Sequence, residues 1–514
     1  MLPGNNQFSA FHHASPDLLI LGGGINGAAI LREASARGYS CLLIDKYDFA
    51  SGASGHSSHL IHGGLRYLEF GEIDLVYESL HAREWILSEF PEFTKVIPLV
   101  IPTSKNASRP RWMLKLGLTA YDFLARSKKV PTHNWLSKEE IIDRFDGIKS
   151  SGLTGGYQYF DGMVEWPERL ILDLLKRSGS PAFNYVDLVR KNEQGILLRQ
   201  QFSGEEILIH PKKIINATGA WVDFTNVSLG IKTTYMGGTA GSHLVVSFPG
   251  KLPESGIYTE TGSDHRPIFW LPWAGKILFG TTDIRYNGNP SFVTVTNEEI
   301  SYLKEALNEL FPGLGSEAIE FSFCAVRPLP ATPLNRTPGK ITRKHTLFHD
   351  KFHPDCLHLI GGKLTTFPVV AKQVCDWLDK EERKNTTKLG WSGKSPSEKS
   401  KFVQKKEPIP IGQSLISFYG KDILTSSGSE PGKKESEITL VDEIIFAFEK
   451  EMGFTWPDVM ERRTCLSQKI GNNSFELEKL RTMLFSAGLF KDKAGIDFNA
   501  YLEELNRNRF LQNI

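Results

Sequence analysis

The strongest constraint on the fold is a glycine-rich turn near the start of the chain, the run GGGINGA at 22–28. It follows an apolar run at 17–21 and precedes a helical run and a second apolar run that ends in Asp45. Strand, glycine turn, helix and strand in this order predict one βαβ unit of a parallel sheet. In such a unit the glycines let the backbone approach a pyrophosphate at the helix N-terminus, and the acid accepts hydrogen bonds from a ribose. The turn therefore predicts a dinucleotide site.

Length, composition and charge limit the number of domains and the kinds of partner that we expect. With 514 residues, the chain is long enough for two to four domains at roughly 150 residues per domain. Hydrophobic residues make up 40% and charged residues 23%, the balance of a folded globular protein. The formal net charge is +1, so we expect no nucleic-acid partner, and any anionic ligand must be bound by a local group of Arg and Lys. The five cysteines lack CxxC spacing, which indicates a reducing compartment and no metal site.

Further segments differ in their residue patterns. Short apolar runs between turn signals predict a β-meander over 182–219 and a second β-rich region over about 243–283. Residues 385–437 are dense in Lys, Glu, Ser and Gly, which is typical of a linker and mobile loop. From 438 onward the pattern is helical. The tail at 1–16 lacks the basic and apolar regions of a secretory signal, and no apolar stretch is long enough to span a bilayer.

Motifs distributed over the chain resemble those of one family. They are GGGINGA at 22–28, SSHLIHGGLRYLE at 57–69, NATGAW at 216–221, GSHLVV at 241–246, GTTD at 280–283, VRPL at 326–329, ITR at 341–343, GGKLTT at 361–366 and ERRT at 461–464. In this order and spacing they resemble the FAD-dependent glycerol-3-phosphate dehydrogenases, which are flavoproteins of the D-amino-acid-oxidase type. The resemblance covers about residues 17–380 and resumes over the C-terminal helices. Two departures stand out: the family motif usually has Lys where this chain has His59, and 385–436 has no clear family counterpart.

The resemblance implies an α/β fold with three parts. These are a glutathione-reductase-like FAD-binding domain of the Rossmann type, an inserted β-rich substrate domain similar to that of D-amino-acid oxidase, and a C-terminal all-α domain. Combined with the residue patterns, it predicts a tail at 1–16, an oxidoreductase region at 17–384, a linker at 385–437 and a helical domain at 438–514. Within the oxidoreductase region the FAD-binding segments are about 17–66, 182–225 and 340–384, and the substrate segments are about 67–181 and 226–339.

The implied reaction is oxidation of sn-glycerol 3-phosphate to dihydroxyacetone phosphate by hydride transfer to N5 of FAD. A phosphate needs fixed cations, and Arg offers oxygens a planar fork whereas Lys acts as a point charge. Four cationic residues lie in or beside Gly-, Pro- or Thr-rich motifs rather than on mixed-charge surface helices. They are Arg66, Arg327, Arg343 and Lys363. By resemblance, Arg66, Tyr67 and Arg343 hold the phosphate, and Thr366 is a further substrate-binding residue. Lys363 and Arg327 are then expected near the reacting oxygen.

Two histidines are candidates for the base that removes the hydroxyl proton, His243 and His62. An unperturbed imidazole titrates near pH ~6.5, so either one can accept a proton at neutral pH. Both histidines lie inside family motifs. We favour His243 as the base and expect His62 to pack at the flavin ring.

The remaining motif residues are expected to bind the FAD. The helix after GGKLTT should direct its N-terminus at the flavin, because free N–H groups and the helix dipole stabilise negative charge on the reduced ring. The expected FAD contacts are Gly22, Gly24, Asn26, Gly27, Asp45, Ser54, Ser58, His59, Leu60, Val186, Ala217, Gly219, Asp283, Gly362, Leu364 and Thr365.

The acceptor of the electrons is a separate question. The resemblance implies a membrane quinone, a homodimer and a peripheral position on a phospholipid surface, the cytoplasmic face of the inner membrane. The segment 108–129 combines basic and aromatic residues, as an interfacial element does, although a core-packed amphipathic helix fits the pattern equally well. Alternative readings are a soluble oxidase that uses oxygen, an enzyme of the D-amino-acid-oxidase type and a flavin-binding scaffold without turnover. The Arg-rich motifs suit phosphate better than an amino acid.

Overall fold

A computed structural model describes residues 7–105, 108–125, 130–262, 264–315, 318–333, 337–381, 415–419, 423–424, 438–471, 473–489 and 491–509. Most of the predicted linker at 385–437 lies outside the described residues. The helices are α1 Ile25–Ala36, α2 Ile73–Glu89, α3 Arg111–Ala125, α4 Lys138–Arg144, α5 Pro167–Ser178, α6 Val222–Ser228, α7 Asn297–Leu310, α8 Phe367–Glu381, α9 Leu415–Tyr419, α10 Leu440–Lys450, α11 Leu466–Ile470, α12 Ser474–Ser486 and α13 Phe498–Arg509.

The strands form three sheets. Their bounds are β1 Leu18–Leu21, β2 Cys41–Ile44, β3 Leu60–Ile61, β4 Thr94–Ser104, β5 Asn134–Leu136, β6 Leu153–Val164, β7 Ala182–Phe183, β8 Val186–Asn192, β9 Gly195–Gln200, β10 Glu206–Ile209, β11 Lys213–Asn216, β12 Thr239–Val246, β13 Gly256–Glu260, β14 Pro267–Trp273, β15 Lys276–Gly280, β16 Ile284–Arg285, β17 Ile319–Arg327, β18 Thr346–His349 and β19 Cys356–Ile360.

The first sheet is built on the predicted βαβ unit, which is confirmed. Its strand order is β18-β19-β11-β1-β2-β7, and β1 runs parallel to both β2 and β11. All four residues of β1 are buried, as in a parallel strand covered on both faces. Helix α1 packs against α5 and α8. Helix α5, which the predicted boundaries place in the substrate segment, therefore belongs to the core of this sheet.

The spacing of the glycines in the first turn has a steric cause. Gly22 has φ +105°, a backbone conformation that residues other than glycine rarely adopt. A Cβ atom on Gly27 would lie 1.9 Å from the carbonyl oxygen of Gly22. The start of α1 therefore approaches the end of β1 more closely than any residue except glycine permits.

The predicted meander is confirmed as the small sheet β10-β9-β8. After it, β11 returns to the first sheet beside β1. The predicted second β-rich region is also confirmed. It is part of a larger sheet with the order β16-β12-β15-β14-β13-β4-β6-β3, in which β17 pairs with β12 and β5 with β6.

Two long strands of the larger sheet, β4 and β6, were not predicted. Strand β4 contains Pro98 and Pro102, and β6 contains Gly155, Gly156 and Gly162. Both residue types are depleted in strands because proline lacks a donor and glycine lacks a side chain to pack. The two strands nevertheless pair along almost their full length, with Pro98 opposite Phe160. Tertiary pairing here overrides local preference.

Helix α3 lies in the segment proposed as interfacial. Leu114, Leu118 and Tyr121 are buried on its inner side. Trp112 and Phe123 are each 68% exposed. The helix therefore has a packed face and an exposed apolar one. Within the described residues no helix combines the length and apolar character needed to cross a membrane.

The C-terminal region is helical, as predicted. Helices α10 to α13 and a π-helical turn at Asp458–Arg463 surround the fully buried Trp456. Apolar residues of these elements form a core separate from that of the first sheet, and they include Ile444, Val459, Leu480, Leu484 and Phe498.

The contact between Gly27 and Gly22 generates a prediction. Gly27→Ala should lower the free energy of unfolding by about 1–3 kcal/mol, because the added methyl group has no space. Gly117→Ala is the matched control, since it is also helical and a Cβ there meets nothing within 4 Å. This control should be neutral or stabilise by up to about 1 kcal/mol. Urea unfolding of both variants measures the difference, and equal effects would contradict the steric account.

Candidate active site

A cavity of about 530 Å³ is lined by residues of the first sheet and of the larger sheet. Every predicted site residue lines it except Gly27 and Thr366. Gly27 instead packs against Gly22. The Thr366 hydroxyl accepts the Lys363 N–H at 3.2 Å, and its side chain is buried below the cavity wall. The structure therefore gives Thr366 a role in capping the turn before α8 rather than in ligand contact.

Asp45 lies at the nucleotide end of the cavity. Its Oδ2 accepts the Gly23 N–H at 2.5 Å and its Oδ1 accepts the Tyr47 N–H at 2.8 Å. Burial raises the pKa of Asp45 to about 7, although both hydrogen bonds oppose the shift. Each oxygen keeps a further lone pair for ribose hydroxyls. Asp45 thus lines the cavity beside the glycine turn, and its contact with a ribose stays a prediction.

Two glycine motifs far apart in the sequence meet at Asn26. The buried Oδ1 of Asn26 has no hydrogen-bond partner among the described residues. A Cβ on Gly362, which has φ +92°, would lie 2.9 Å from Asn26 Nδ2. The GGKLTT turn therefore closes directly over the N-terminus of α1. An unpartnered oxygen and a backbone cradle at this point fit a dinucleotide such as FAD.

Asp283 organises the other end of the cavity. Its carboxylate meets Arg343 at 3.0 Å, Arg327 at 3.2 Å and Arg266 at 3.3 Å. Burial opposes ionisation of Asp283, but the arginines outweigh it and hold its pKa below the usual value. Asp283 was predicted among the FAD contacts. The structure places it at the centre of a cation cluster.

The cation cluster consists of Arg66, Arg266, Arg327, Arg343 and Lys363, all of which line the cavity. Tyr67 shows that several of them converge. Burial raises the pKa of the Tyr67 phenol, whereas Arg343, Arg327 and Arg66 lower it. The ammonium of Lys363 lies 4.8 Å from the centre of the Tyr67 ring. Three of these cations pair with the single negative charge of Asp283, while Arg266 also lies 3.9 Å from Asp264 and Lys363 has Glu78 and Glu72 nearby. The arginines around Asp283 still leave an excess of positive charge, which suits an anionic ligand.

Two of the arginines have buried N–H groups without a hydrogen-bond partner among the described residues. These groups are the Nε of Arg66 and the Nη1 of Arg343. Buried N–H groups are almost always hydrogen-bonded, so these two point to a ligand. Arg327 differs, because its Nη2 binds the Thr281 hydroxyl at 2.9 Å and the Thr282 carbonyl at 3.0 Å. It acts as a fixed charge held by the protein.

Arg266 was missed by the sequence-based prediction. It directly precedes strand β14, and the pair Arg266-Pro267 is similar to Arg327-Pro328 at the end of β17. An Arg-Pro pair at a strand end was therefore the signal that would have found it.

Lys363 is the buried amine of the cavity. Its Nζ donates to the Ser79 hydroxyl at 2.7 Å. Burial lowers the pKa of Lys363 to about 8, with Glu78 and Glu72 opposing the shift. It remains mainly protonated at neutral pH and has donors left for a ligand oxygen.

The histidines of the cavity are neutral at neutral pH. Burial, Arg327 and two neighbouring histidines hold the pKa of His243 well below its usual value, and burial and Lys363 lower that of His62 to about 3. His243 Nε2 lies 2.9 Å from the Ser58 hydroxyl, and its buried Nδ1 has no described partner. The backbone N–H of His62 donates to Thr365 Oγ1 at 3.1 Å. Both rings are therefore neutral, but the same shifts make them weaker bases than the unperturbed imidazole considered from the sequence.

His59 occupies the position where the family motif has Lys. Its ring meets Trp273 edge-on, with the ring centres 5.0 Å apart, and it is 1% exposed. Burial lowers the pKa of His59 to about 3. His59 therefore brings an uncharged ring to the cavity wall in place of an ammonium group.

Known proteins resemble this chain over most of its length. The model of the FAD dependent oxidoreductase family matches residues 17–377, which include both glycine motifs and the whole cation cluster. A glycerol-3-phosphate dehydrogenase of a Synechocystis species is 34% identical, and the alignment covers 98% of both chains.

Two solved structures share the fold. The glycerol-3-phosphate dehydrogenase from Bacillus halodurans complexed with FAD has a TM-score of 0.74 at 22% identity, covering 99% of this chain and 98% of that one. The L-alpha-glycerophosphate oxidase from Mycoplasma pneumoniae with FAD bound has a TM-score of 0.56 at 19% identity, covering 74% and 98%. At these identities the likeness concerns the fold alone.

The environment of Lys363 generates a prediction. Competitive acylation of the purified protein, read by mass spectrometry across pH, should show half-maximal reactivity of Lys363 near pH 8. Glu78→Gln should move this midpoint to lower pH, because it removes a negative charge that favours the ammonium form. Lys363→Arg, which abolishes the labelled peptide, identifies the signal. A midpoint unchanged by Glu78→Gln would contradict the assigned electrostatics.

Proposed function

Because the chain belongs to the FAD-dependent oxidoreductases and, within them, to the glycerol-3-phosphate dehydrogenase family, FAD is its cofactor, and we propose that it oxidises sn-glycerol 3-phosphate to dihydroxyacetone phosphate. The observation that carries the substrate assignment is the cation cluster, in which Arg66 and Arg343 keep unpartnered buried donors. A phosphate dianion satisfies both donors and the excess charge together.

The proposed phosphate site consists of Arg66, Tyr67, Arg266 and Arg343. Asp283 holds Arg343 and Arg266 in place, so little conformational entropy is lost when the phosphate binds. An unphosphorylated alcohol leaves the clustered charges uncompensated. Glycerol should therefore be a very poor substrate.

The reaction requires a base and a stabilised oxygen. When bound, FAD supplies the two-electron acceptor that takes the hydrogen of C2 as a hydride. His243 accepts the hydroxyl proton, and the incoming phosphate favours this because its negative charge offsets the effect of Arg327. Lys363 donates a hydrogen bond to the reacting oxygen, while Arg327 contributes positive charge from its fixed position. His62, which lines the same cavity, is the alternative base.

We propose that the electrons pass to a membrane quinone. The exposed apolar side of α3 supports this, because Trp112, Leu116 and Phe123 are each more than half exposed. Such residues beside a packed face are typical of a helix that lies in a membrane interface. The protein would then bind peripherally to a phospholipid surface on the cytoplasmic side.

The arginines at the start of this segment are engaged within the protein. Arg109 forms ion pairs with Glu69 and Glu260. The guanidinium of Arg111 lies 3.6 Å from the centre of the Trp135 ring. Attachment would therefore depend on the exposed apolar side chains more than on these two charges.

Oxygen is the second candidate acceptor, favoured by the fold shared with a glycerophosphate oxidase. The two acceptors are separated by reducing the bound flavin anaerobically with glycerol 3-phosphate and then adding either a soluble quinone or air. Rapid reoxidation by quinone and slow reoxidation by air supports the dehydrogenase. The reverse order supports the oxidase.

Substitutions in the phosphate site and of the base should have different effects on the kinetics of flavin reduction. Arg343→Ala should raise the substrate concentration for half-maximal flavin reduction by more than about tenfold, because it removes charge-assisted hydrogen bonds. His243→Ala should leave that concentration nearly unchanged and slow reduction by roughly a hundredfold or more. Anaerobic stopped-flow measures both.

The control is Arg481→Ala, which removes a 44% exposed arginine of α12 and should change neither quantity. Normal reduction by His243→Ala would transfer the role of base to His62. Unchanged apparent affinity in Arg343→Ala would remove the main support for a phosphorylated substrate.

A further prediction concerns α3. Replacing Trp112 and Phe123 by Ser should move the protein from the pellet to the supernatant when it is centrifuged with anionic phospholipid vesicles, because about 25 cal/mol is lost per Å² of apolar surface no longer buried in the membrane. Phe352→Ser, at a side chain 90% exposed elsewhere, is the matched control and should still sediment. Sedimentation of both variants alike would mean that α3 does not bind lipid.

A further inference from the structure

The motif ERRT at 461–464 has no part in the proposed chemistry, yet it makes a fully buried ionic contact between the C-terminal region and the loop after β2. Arg462 Nε lies 2.6 Å from Asp48 Oδ2. Arg463 donates to both oxygens of Asp48, from Nη1 at 2.8 Å and from Nη2 at 2.6 Å. The side chains of Asp48 and Arg463 are fully buried.

Asp48 lies in the loop that follows β2. Asp45, at the start of that loop, lines the nucleotide end of the cavity, and residues 50–54 line the cavity further along. Asp48 itself does not line the cavity and is joined to Asn184, whose Nδ2 donates to Asp48 Oδ1 at 2.7 Å. The arginines therefore bind this loop through a residue that does not line the cavity.

A second loop at the nucleotide end is held in the same way. Tyr185 donates its hydroxyl proton to Asp458 Oδ1 at 2.6 Å, and Asp458 also pairs with Arg462 at 2.7 Å. The next residue, Val186, lines the cavity. One turn of the C-terminal region, Asp458–Arg463, thus fixes both backbone segments that flank the nucleotide.

These contacts link two events. The same loop carries Asp45, which lines the cavity, and Asp48, which pairs with the docked arginines. A buried carboxylate left without its cations is strongly disfavoured, so separation of the C-terminal region would destabilise the loop in this conformation. Two events that stabilise the same loop conformation must stabilise each other to the same extent.

We propose that Arg462, Arg463 and Asp48 are positioning residues that couple docking of the C-terminal helices to retention of FAD. The C-terminal region then acts as a clamp on the nucleotide end of the cofactor, although none of its described residues lines the cavity. This inference rests on FAD as the cofactor and not on the identity of the substrate or acceptor.

The test compares Asp48 with a largely buried carboxylate at the C-terminal end of α1, the end that lies away from the cavity. Asp48→Asn weakens the clamp. Asp379→Asn weakens the contact of α8 with Arg37 at 2.7 Å, and neither of these two side chains lines the cavity. Dilution of each holoenzyme, followed by the fluorescence of released flavin, gives the dissociation constant of FAD. We expect Asp48→Asn to raise it by about tenfold or more and Asp379→Asn to leave it within about twofold of wild type.

Hydrogen exchange distinguishes coupling from general destabilisation and needs no variant that folds poorly. In the wild-type protein, FAD should slow amide exchange in peptides covering 458–471. The milder variant Arg462→Gln should reduce this effect of FAD, whereas Asp379→Asn should retain it. Exchange in 458–471 that is the same with and without FAD, or equal weakening of FAD binding by Asp48→Asn and Asp379→Asn, would overturn the proposal.

Discussion

The active site depends on one buried carboxylate. Like charges repel strongly in a protein interior, where the effective dielectric constant is far below that of water. Asp283 makes a group of arginines possible by pairing with three of them at 3.0 to 3.3 Å. It neutralises only part of their charge. The remaining charge and the unpartnered donors of Arg66 and Arg343 are what an anionic substrate encounters.

The cluster and the glycine turns line the same cavity because the ends of two sheets meet there. The carboxyl ends of β1, β2 and β11 lead into Gly22, Asp45 and Ala217, which line the nucleotide side, as in other open parallel sheets. Strands β12 and β17 contribute His243 and Arg327 from the opposite side. The tight contact of Gly27 with Gly22 and the turn at Gly362 let the two sides approach. Substrate chemistry and cofactor binding thus depend on the same few turns.

The cofactor half of the site was predictable from the sequence because its signals are local. A buried strand, a glycine turn, a helix and Asp45 lie within one continuous segment. The substrate half depends on contacts between distant segments, so Arg266 was missed and the pairing of Asp283 with three arginines was not predicted. Strands β4 and β6 were missed because their prolines and glycines oppose strand formation locally, and only long-range pairing stabilises them. The turn-capping hydrogen bond of Thr366 was not predicted, because capping a turn and binding a ligand favour the same residue type.

The central claim is that uncompensated positive charge around Asp283 selects a phosphorylated alcohol. Anaerobic titration of the FAD-loaded wild-type protein with sn-glycerol 3-phosphate, and separately with glycerol, tests it most directly. The account predicts that glycerol 3-phosphate bleaches the flavin at concentrations where glycerol leaves it oxidised. Inorganic phosphate, by occupying the cluster, should slow the bleaching. Equal bleaching by both alcohols, or bleaching by glycerol 3-phosphate that inorganic phosphate does not affect, would contradict it.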